Sequence, residues 1–148
     1  MIIFKIDRFD QLSVKTFFDL IRLRINVFVT EQKITAPELD DQDLKSWHAY
    51  LQDTKNQHIV AVCRLFYDDA HHLYIGRVAV DQKKRGLHLG SELMTNVHSF
   101  IQENHLASKL YLHAQAPVIP FYEQLGYKAI GPRFMEAGIE HQLMIKEL

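Results

Sequence analysis

Cysteine is almost missing. Cys63 stands alone among 148 residues, so no disulfide can form within the chain. None is needed, because a chain of this length buries roughly two-thirds of its unfolded surface around a core of its own. Excess charge is missing too. The 17 Lys and Arg against 18 Asp and Glu leave a formal net charge of −1, which excludes the basic excess of a general nucleic-acid binder. No apolar run reaches membrane-spanning length, and neither repeats nor low-complexity tracts occur. Asp7 and Asp10 interrupt MIIFKIDRFD before it resembles a secretion signal, so the expectation is a cytosolic protein with no membrane partner, forming one domain over residues 1–148. None of the 9 histidines sits in an HExxH arrangement, and no metal site is expected.

What is present is organised around residues 72–101. Leu73, Tyr74, Ile75, Val78, Ala79 and Val80 are mostly β-favouring and stop at the polar pair Asp81 and Gln82, which predicts a strand and a turn. Leu89, Leu93, Val97 and Ile101 then recur four apart, with Met94 and Phe100 beside them, which predicts a helix. Between strand and helix lie Lys83, Lys84, Arg85 and Gly86, with Gly90 one turn on. The first amides of a helix have no intrahelical acceptor and the peptide dipoles leave positive charge there. Three cationic side chains add to it, and Gly86 lets the backbone turn towards a ligand, so the pattern suits phosphates. The bland alternative is a solvated basic turn with Gly90 serving only close helix packing.

The remaining elements read in order. Residues 2–6 form a strand, and Val14, Phe17, Phe18, Ile21, Ile25 and Phe28 follow at helical spacing after a Ser13 N-cap. Residues 30–46 lose periodicity and carry most of their charge as acids, a loop with room for one helical turn. Residues 47–53 and 58–67 predict two antiparallel strands, the second apolar on both faces and therefore central. Residues 109–114 give another strand. Val118, Phe121, Tyr122 and Leu125 give a short helix, with Pro120 in its first turn and Gly126 closing it. Residues 127–148 read as a hairpin turning at MEAG, whose free edge offers a surface for pairing, so monomer and homodimer both stay open. This order predicts an α/β fold with a mixed sheet and helices on both faces.

Three stretches together resemble the GNAT superfamily of acyl-CoA-dependent N-acyltransferases: VAVDQKKRGLHLGSELM; APVIPFYEQLGY; and LRINVFVTEQ with DDQDLKSWH and EAGIEHQLM, the last set similar to the ElaA-like branch. The resemblance spans nearly the entire chain. It implies a GNAT-type, mostly antiparallel central sheet and an N-acetyltransferase that moves the acetyl group of acetyl-CoA, its co-substrate, to a small-molecule or peptide amine by direct attack. It assigns Val78, Ala79 and Val80 to the pantetheine arm, and the backbone of Arg85, Gly86, Leu87, His88, Leu89, Gly90 and Ser91 to the pyrophosphate. Lys83, Lys84 and Arg85 would flank the phosphates, Phe121 would line the coenzyme site, and Tyr122 would protonate the departing thiolate. The family loop reads Arg-x-x-Gly-x-Gly/Ala, and His88 stands where the middle glycine is usual.

The base that takes the amine's proton is left open. Glu31 and His48 lead, followed by Asp40, Asp41, His113 and His141; histidine has the best unperturbed pKa, and Glu31 needs burial to raise its own. Cys63, in an apolar strand, is read as core rather than as an acyl carrier. Phe17, Phe18 and Phe28 are read as core as well. Two other functions compete. One is a non-catalytic acyl-CoA-binding or regulatory module. The other is an acyl-homoserine-lactone-synthase-like acyltransferase, similar at Arg24, Val27 and Phe28 but lacking that group's tryptophan.

Overall fold

A computed structural model describes residues 1–148. The strands are β1 (Ile2–Arg8), β2 (Trp47–Asp53), β3 (Ile59–Tyr67), β4 (Leu73–Val80), β5 (Lys109–Gln115), β6 (Lys128–Ala129), β7 (Phe134–Glu136) and β8 (Ile139–Glu147); the helices are α1 (Val14–Arg24), α2 (Leu89–Glu103) and α3 (Ile119–Gln124). The strands join in one sheet ordered β1-β2-β3-β4-β5-β8-β6, with β7 also on β8. Every pairing is antiparallel except β4 with β5. The predicted mixed, mostly antiparallel sheet is what forms. No helix is long and apolar enough to cross a membrane.

Strand alternation gives the sheet two cores. Ala49 and Leu51 of β2, Cys63 and Leu65 of β3, and Leu110 and Leu112 of β5 point to one face, where Leu93, Met94, Val97 and Ile101 of α2 cover them. Tyr50 and Val62 point to the other face and meet Leu20, Leu23 and Val27. Helices therefore lie on both faces, and the α2 stripe is the one its spacing predicts.

The first helix departs from its predicted stripe. Ser13 caps it as expected, accepting from the Thr16 amide at 3.0 Å, but Val14 is 90% and Phe18 57% exposed, while Leu20 and Leu23 are buried. Apolar residues occupy more than one side of this helix, so spacing alone does not choose the inward one. The α-helix also ends at Arg24, and Ile25–Glu31 continue as a π-helix. The Gln32 amide donates to the Val27 carbonyl at 3.0 Å, one residue further back than an α-helix allows. Four of those seven residues (Ile25, Val27, Val29 and Thr30) are β-branched and pack poorly in a tight α-turn.

The C-terminal hairpin is also corrected. Its first arm is two pieces, β6 and β7, laid end to end along β8, because Gly131 takes φ +73° and Pro132 offers no amide to a ladder. Gln142 holds the gap by donating to the carbonyls of Ile130 at 2.9 Å and Gly131 at 3.0 Å. Ala137 (φ +53°) and Gly138 (φ +78°) make the turn, so Met135 and Glu136 belong to the strand.

Candidate active site

The cleft begins at a fault in β4. From Val62 to Arg64, β3 advances by two residues while β4 runs from Ala79 to Gly76, so β4 carries one extra residue. Arg77 sits in this bulge with φ +55°. Beyond it the neighbouring strand is lost: β4 pairs with β5 only at Tyr74–Tyr111 and Ile75–Leu112. Between the diverging strands opens a cavity of about 1020 Å³, walled by Val78, Ala79 and Val80 on one side and Leu112, His113 and Gln115 on the other.

One end of the cleft is built from main chain. The amides from Arg85 to Ser91 donate to no protein group, and the first inside α2 to find an acceptor is that of Glu92, on the His88 carbonyl at 3.1 Å. Gly86 (φ +84°) and His88 (φ +59°) both take the left-handed backbone. That is the physical reason a glycine suits position 88, and histidine is among the side chains that tolerate it best. Arg85, Gly86, His88, Leu89, Gly90, Ser91 and Lys84 line the cavity. The Lys83 side chain instead lines a neighbouring groove, while Leu87 turns its side chain to solvent at 61% exposure and leaves its amide, the group the resemblance assigns, without a protein acceptor. A methyl group on Gly90 would come within 3.2 Å of the Phe121 ring, so the packing reading of this glycine holds as well.

Tyr122 enters the cleft from α3. It is buried between Phe121 and Tyr127, with ring centres 5.0 and 5.7 Å away. Its hydroxyl hydrogen-bonds to no protein atom, yet the only fully buried side-chain polar atom without a partner is Arg64 Nε. The phenol oxygen therefore reaches the cavity surface that Tyr122 lines. Burial raises its pKa above the usual tyrosine value, and the nearby Cys63 adds to the rise.

The opposite end is built from side chains. Arg24 and Arg64 are buried and share Asp43, with Arg24 Nη1 donating at 2.7 Å and Arg64 Nη1 at 2.9 Å. Glu38 takes Arg24 Nε at 2.7 Å and Arg77 Nε at 3.0 Å, and Asp40 takes Arg64 Nη1 at 2.7 Å. Although burial alone raises the Asp43 pKa, the two guanidiniums outweigh it and hold the carboxyl down at about 2. Glu38, Arg64 and Arg77 line the cavity. Beside them His113 Nδ1 meets Glu136 Oε1 at 3.0 Å, and His141 Nε2 lies 3.7 Å from Glu136 Oε2. The Gln115 side chain donates to Gln32 Oε1 at 3.0 Å, tying the π-helix exit to β5.

Neither leading base candidate fits. His48 is 2% exposed, lies outside the cavity lining and packs edge-on against Phe17. Its Nε2 faces the Asp43 carbonyl at 2.8 Å, so this nitrogen is the ring's donor, and burial lowers its pKa. Glu31 is clamped by Arg85 at 2.5 and 2.8 Å. That pairing lowers its pKa, the wrong direction for a base at neutral pH. Asp40 is committed to Arg64 and is also held low. Of the candidates, His113 and His141 reach the cleft. Glu136, Arg64, Arg77 and Glu38 escape sequence reasoning. The one signal for Arg64 is a charge inside the apolar run IVAVCRLFY, which must find an acid. Arg24, basis of the lactone-synthase likeness, is used up by Glu38 and Asp43.

Comparisons with known proteins agree with this geometry. The family model described as Acetyltransferase (GNAT) domain matches residues 24–148. A UPF0039 protein of Schizosaccharomyces pombe is 37% identical over 141 residues, 95% of this chain and 93% of that protein. Protein ElaA of Escherichia coli is 32% identical over 140 residues, 93% of this chain and 92% of its own. The crystal structure of Escherichia coli ElaA superposes with a TM-score of 0.90 at 30% identity, covering 99% of this chain and 100% of that one. An acyl-CoA N-acyltransferase from Pseudomonas aeruginosa gives 0.89 at 29% identity, covering 99% of each. With a cleft between splayed strands and a helix N-terminus of unpartnered amides beside it, the chain belongs to the GNAT family of acyl-CoA N-acyltransferases, in its ElaA-like branch.

Proposed function

We propose that this protein is an N-acetyltransferase that carries the acetyl group of acetyl-CoA to a primary amine by direct attack in a ternary complex. The observation that carries the reading is the sharing of one cleft by three features: the unpartnered amides of Arg85–Ser91, the parted strands at Val78–Val80, and the Tyr122 hydroxyl.

Amides at the start of α2 supply donors and positive potential for the pyrophosphate, with Lys84 and Arg85 as flanking cations. Val78, Ala79 and Val80 offer the edge of β4 to the pantetheine arm. A neutral amine then forms the C–N bond as the C–S bond breaks, and the leaving sulfur needs a proton donor. Free-peptide values of about 10 for a phenol and about 8.5 for a thiol make complete transfer uphill by roughly 2 kcal/mol. Burial raises Tyr122 further, so it stays protonated through neutral pH and acts chiefly as a hydrogen-bond donor to the sulfur. Direct attack is favoured over an acyl-enzyme because burial pushes the Cys63 thiol up to about 12, far from the reactive thiolate form.

The test is release of free thiol from acetyl-CoA across polyamines, amino acids, aminoglycosides and peptide N-termini. One acceptor that yields both thiol and acetylated product is the expected result. Binding of acetyl-CoA with no thiol release for any amine would leave a binding module instead. Tyr122→Phe is expected to cut kcat about 100-fold or more while acetyl-CoA affinity holds; unchanged kcat would remove Tyr122 from the mechanism.

A further inference from the structure

Three strands, β5, β7 and β8, converge on a small polar cluster at the end of the cleft remote from α2. Leu110, Leu112 and Ala114 of β5 turn into the core that also holds Tyr122. Their neighbours Tyr111, His113 and Gln115 therefore turn to the opposite face of the sheet. His113 and Tyr122 thus approach one gap from opposite sides, and both line it. Glu136 arrives from β7, aimed by the Ala137–Gly138 turn, where an alanine takes the left-handed backbone it rarely adopts. His141 arrives from β8, is 6% exposed and lines the same cavity.

The hydrogen bonds fix the tautomers. A carboxylate only accepts, so His113 Nδ1 carries the proton it donates to Glu136 Oε1 at 3.0 Å. Its Nε2, which has no protein partner, keeps the lone pair. His141 Nδ1 donates to the Ile139 carbonyl at 2.8 Å, leaving a second lone pair on Nε2, 3.7 Å from Glu136 Oε2. One carboxylate thus stands between two imidazoles that can each gain a proton.

We infer that His113, oriented by Glu136 and backed by His141, is the base that receives the proton given up by the attacking amine. This rests on the transferase reading above. As the C–N bond forms, the amine's proton passes to His113 Nε2 and the resulting imidazolium pairs with Glu136. The C–S bond breaks towards the Tyr122 side, where the phenol stabilises the departing thiolate by a hydrogen bond, and the thiolate takes a proton from solvent to become the free thiol. Release of the proton from His113 to solvent resets the base. Glu136 is the positioning residue; it also gives a cationic ammonium a carboxylate to approach. The other charged or titratable groups facing His113 are Tyr74 on β4, its ring centre 5.4 Å away, and Tyr111 on β5, with Arg77 and Asp68 further out.

The test uses the full chain, the most active amine from the acceptor screen, and the variants His113→Gln and Glu136→Gln. Because the carboxylate accepts from His113 and faces the imidazolium formed during turnover, Glu136→Gln is expected to move the acidic limb of kcat/KM to lower pH. His113→Gln is expected to remove that limb and cut the plateau about 100-fold, with acetyl-CoA affinity by calorimetry near wild type. A purely structural role would scale the rate at every pH and leave the limb in place. Wild-type turnover with an unmoved limb in Glu136→Gln, or a retained limb in His113→Gln, overturns the assignment alone. Wild-type protein that releases no thiol with any amine overturns the transferase reading and this base with it.

Discussion

The two ends of the cleft are made of different material. At the α2 end the recognising groups are peptide amides, fixed by the helix itself and indifferent to most side-chain changes. At the far end they are side chains from β3, β4, β5, β7, β8 and the loop at Glu38–Asp43, each held by a charged neighbour. The first kind of site tolerates sequence change and suits any acyl-CoA; the second, on the function proposed above, would select the acceptor.

Mutations at the two ends should therefore differ in size. The largest effect is expected at Asp43, the anion between two buried guanidiniums. Asp43→Ala leaves Arg24 and Arg64 without it and is expected to cost about 3–5 kcal/mol in urea unfolding; a loss below about 1 kcal/mol would mean that Glu38 and Asp40 suffice. Next in size is acid titration of the intact protein. The Asp43 pKa falls on folding from 3.8 to about 2, so its contribution of about 2 kcal/mol is complete above pH 4 and drains away as pH falls towards 2. Asp43→Asn is expected to flatten that part of the stability curve.

At the amide end effects are expected to be small. His88→Gly removes the left-handed strain of a side chain at φ +59° and is expected to stabilise by up to about 1 kcal/mol, a rise of a few degrees in melting temperature, with acetyl-CoA affinity nearly kept. A marked loss of affinity would instead give the imidazole a role on the phosphates. Smallest of all is Glu31→Gln. The pair with Arg85 is partly exposed, so stability is expected to change by less than about 1 kcal/mol, while the freed guanidinium makes acetyl-CoA binding tighter and more salt-dependent by calorimetry.

The same contrast explains what could be read before the fold was known. The α2 stripe, the basic turn, Gly86, Gly90 and Tyr122 lie within short stretches, where periodicity and helix-end chemistry are local facts. The acceptor end depends on which strand neighbours which. His48 and His113 look alike in sequence, but only pairing and phase put one under Phe17 and the other in the cleft. Glu136 reads as part of a turn until Gly131 and Pro132 are seen to break the first arm and shift the reversal to Ala137–Gly138. The inward face of α1 was hidden for a related reason: Arg24 is buried because Asp43 and Glu38 meet it, and neither is near in sequence.

The extra residue at Arg77 also resets a clock. Ahead of it, Leu73 and Ile75 face α2; after it, Val78 and Val80 pack on that side while Ala79 crosses to the α1 side. Odd and even positions have traded faces within one strand. Regular pairing with every residue kept would swap them back, turning two valines out of their core and an alanine into it, whereas deletion of Arg77 would remove the bulge and leave Val78 and Val80 on the α2 side. The extra residue, rather than the identity of any single side chain, lets odd positions before it and even positions after it share one core.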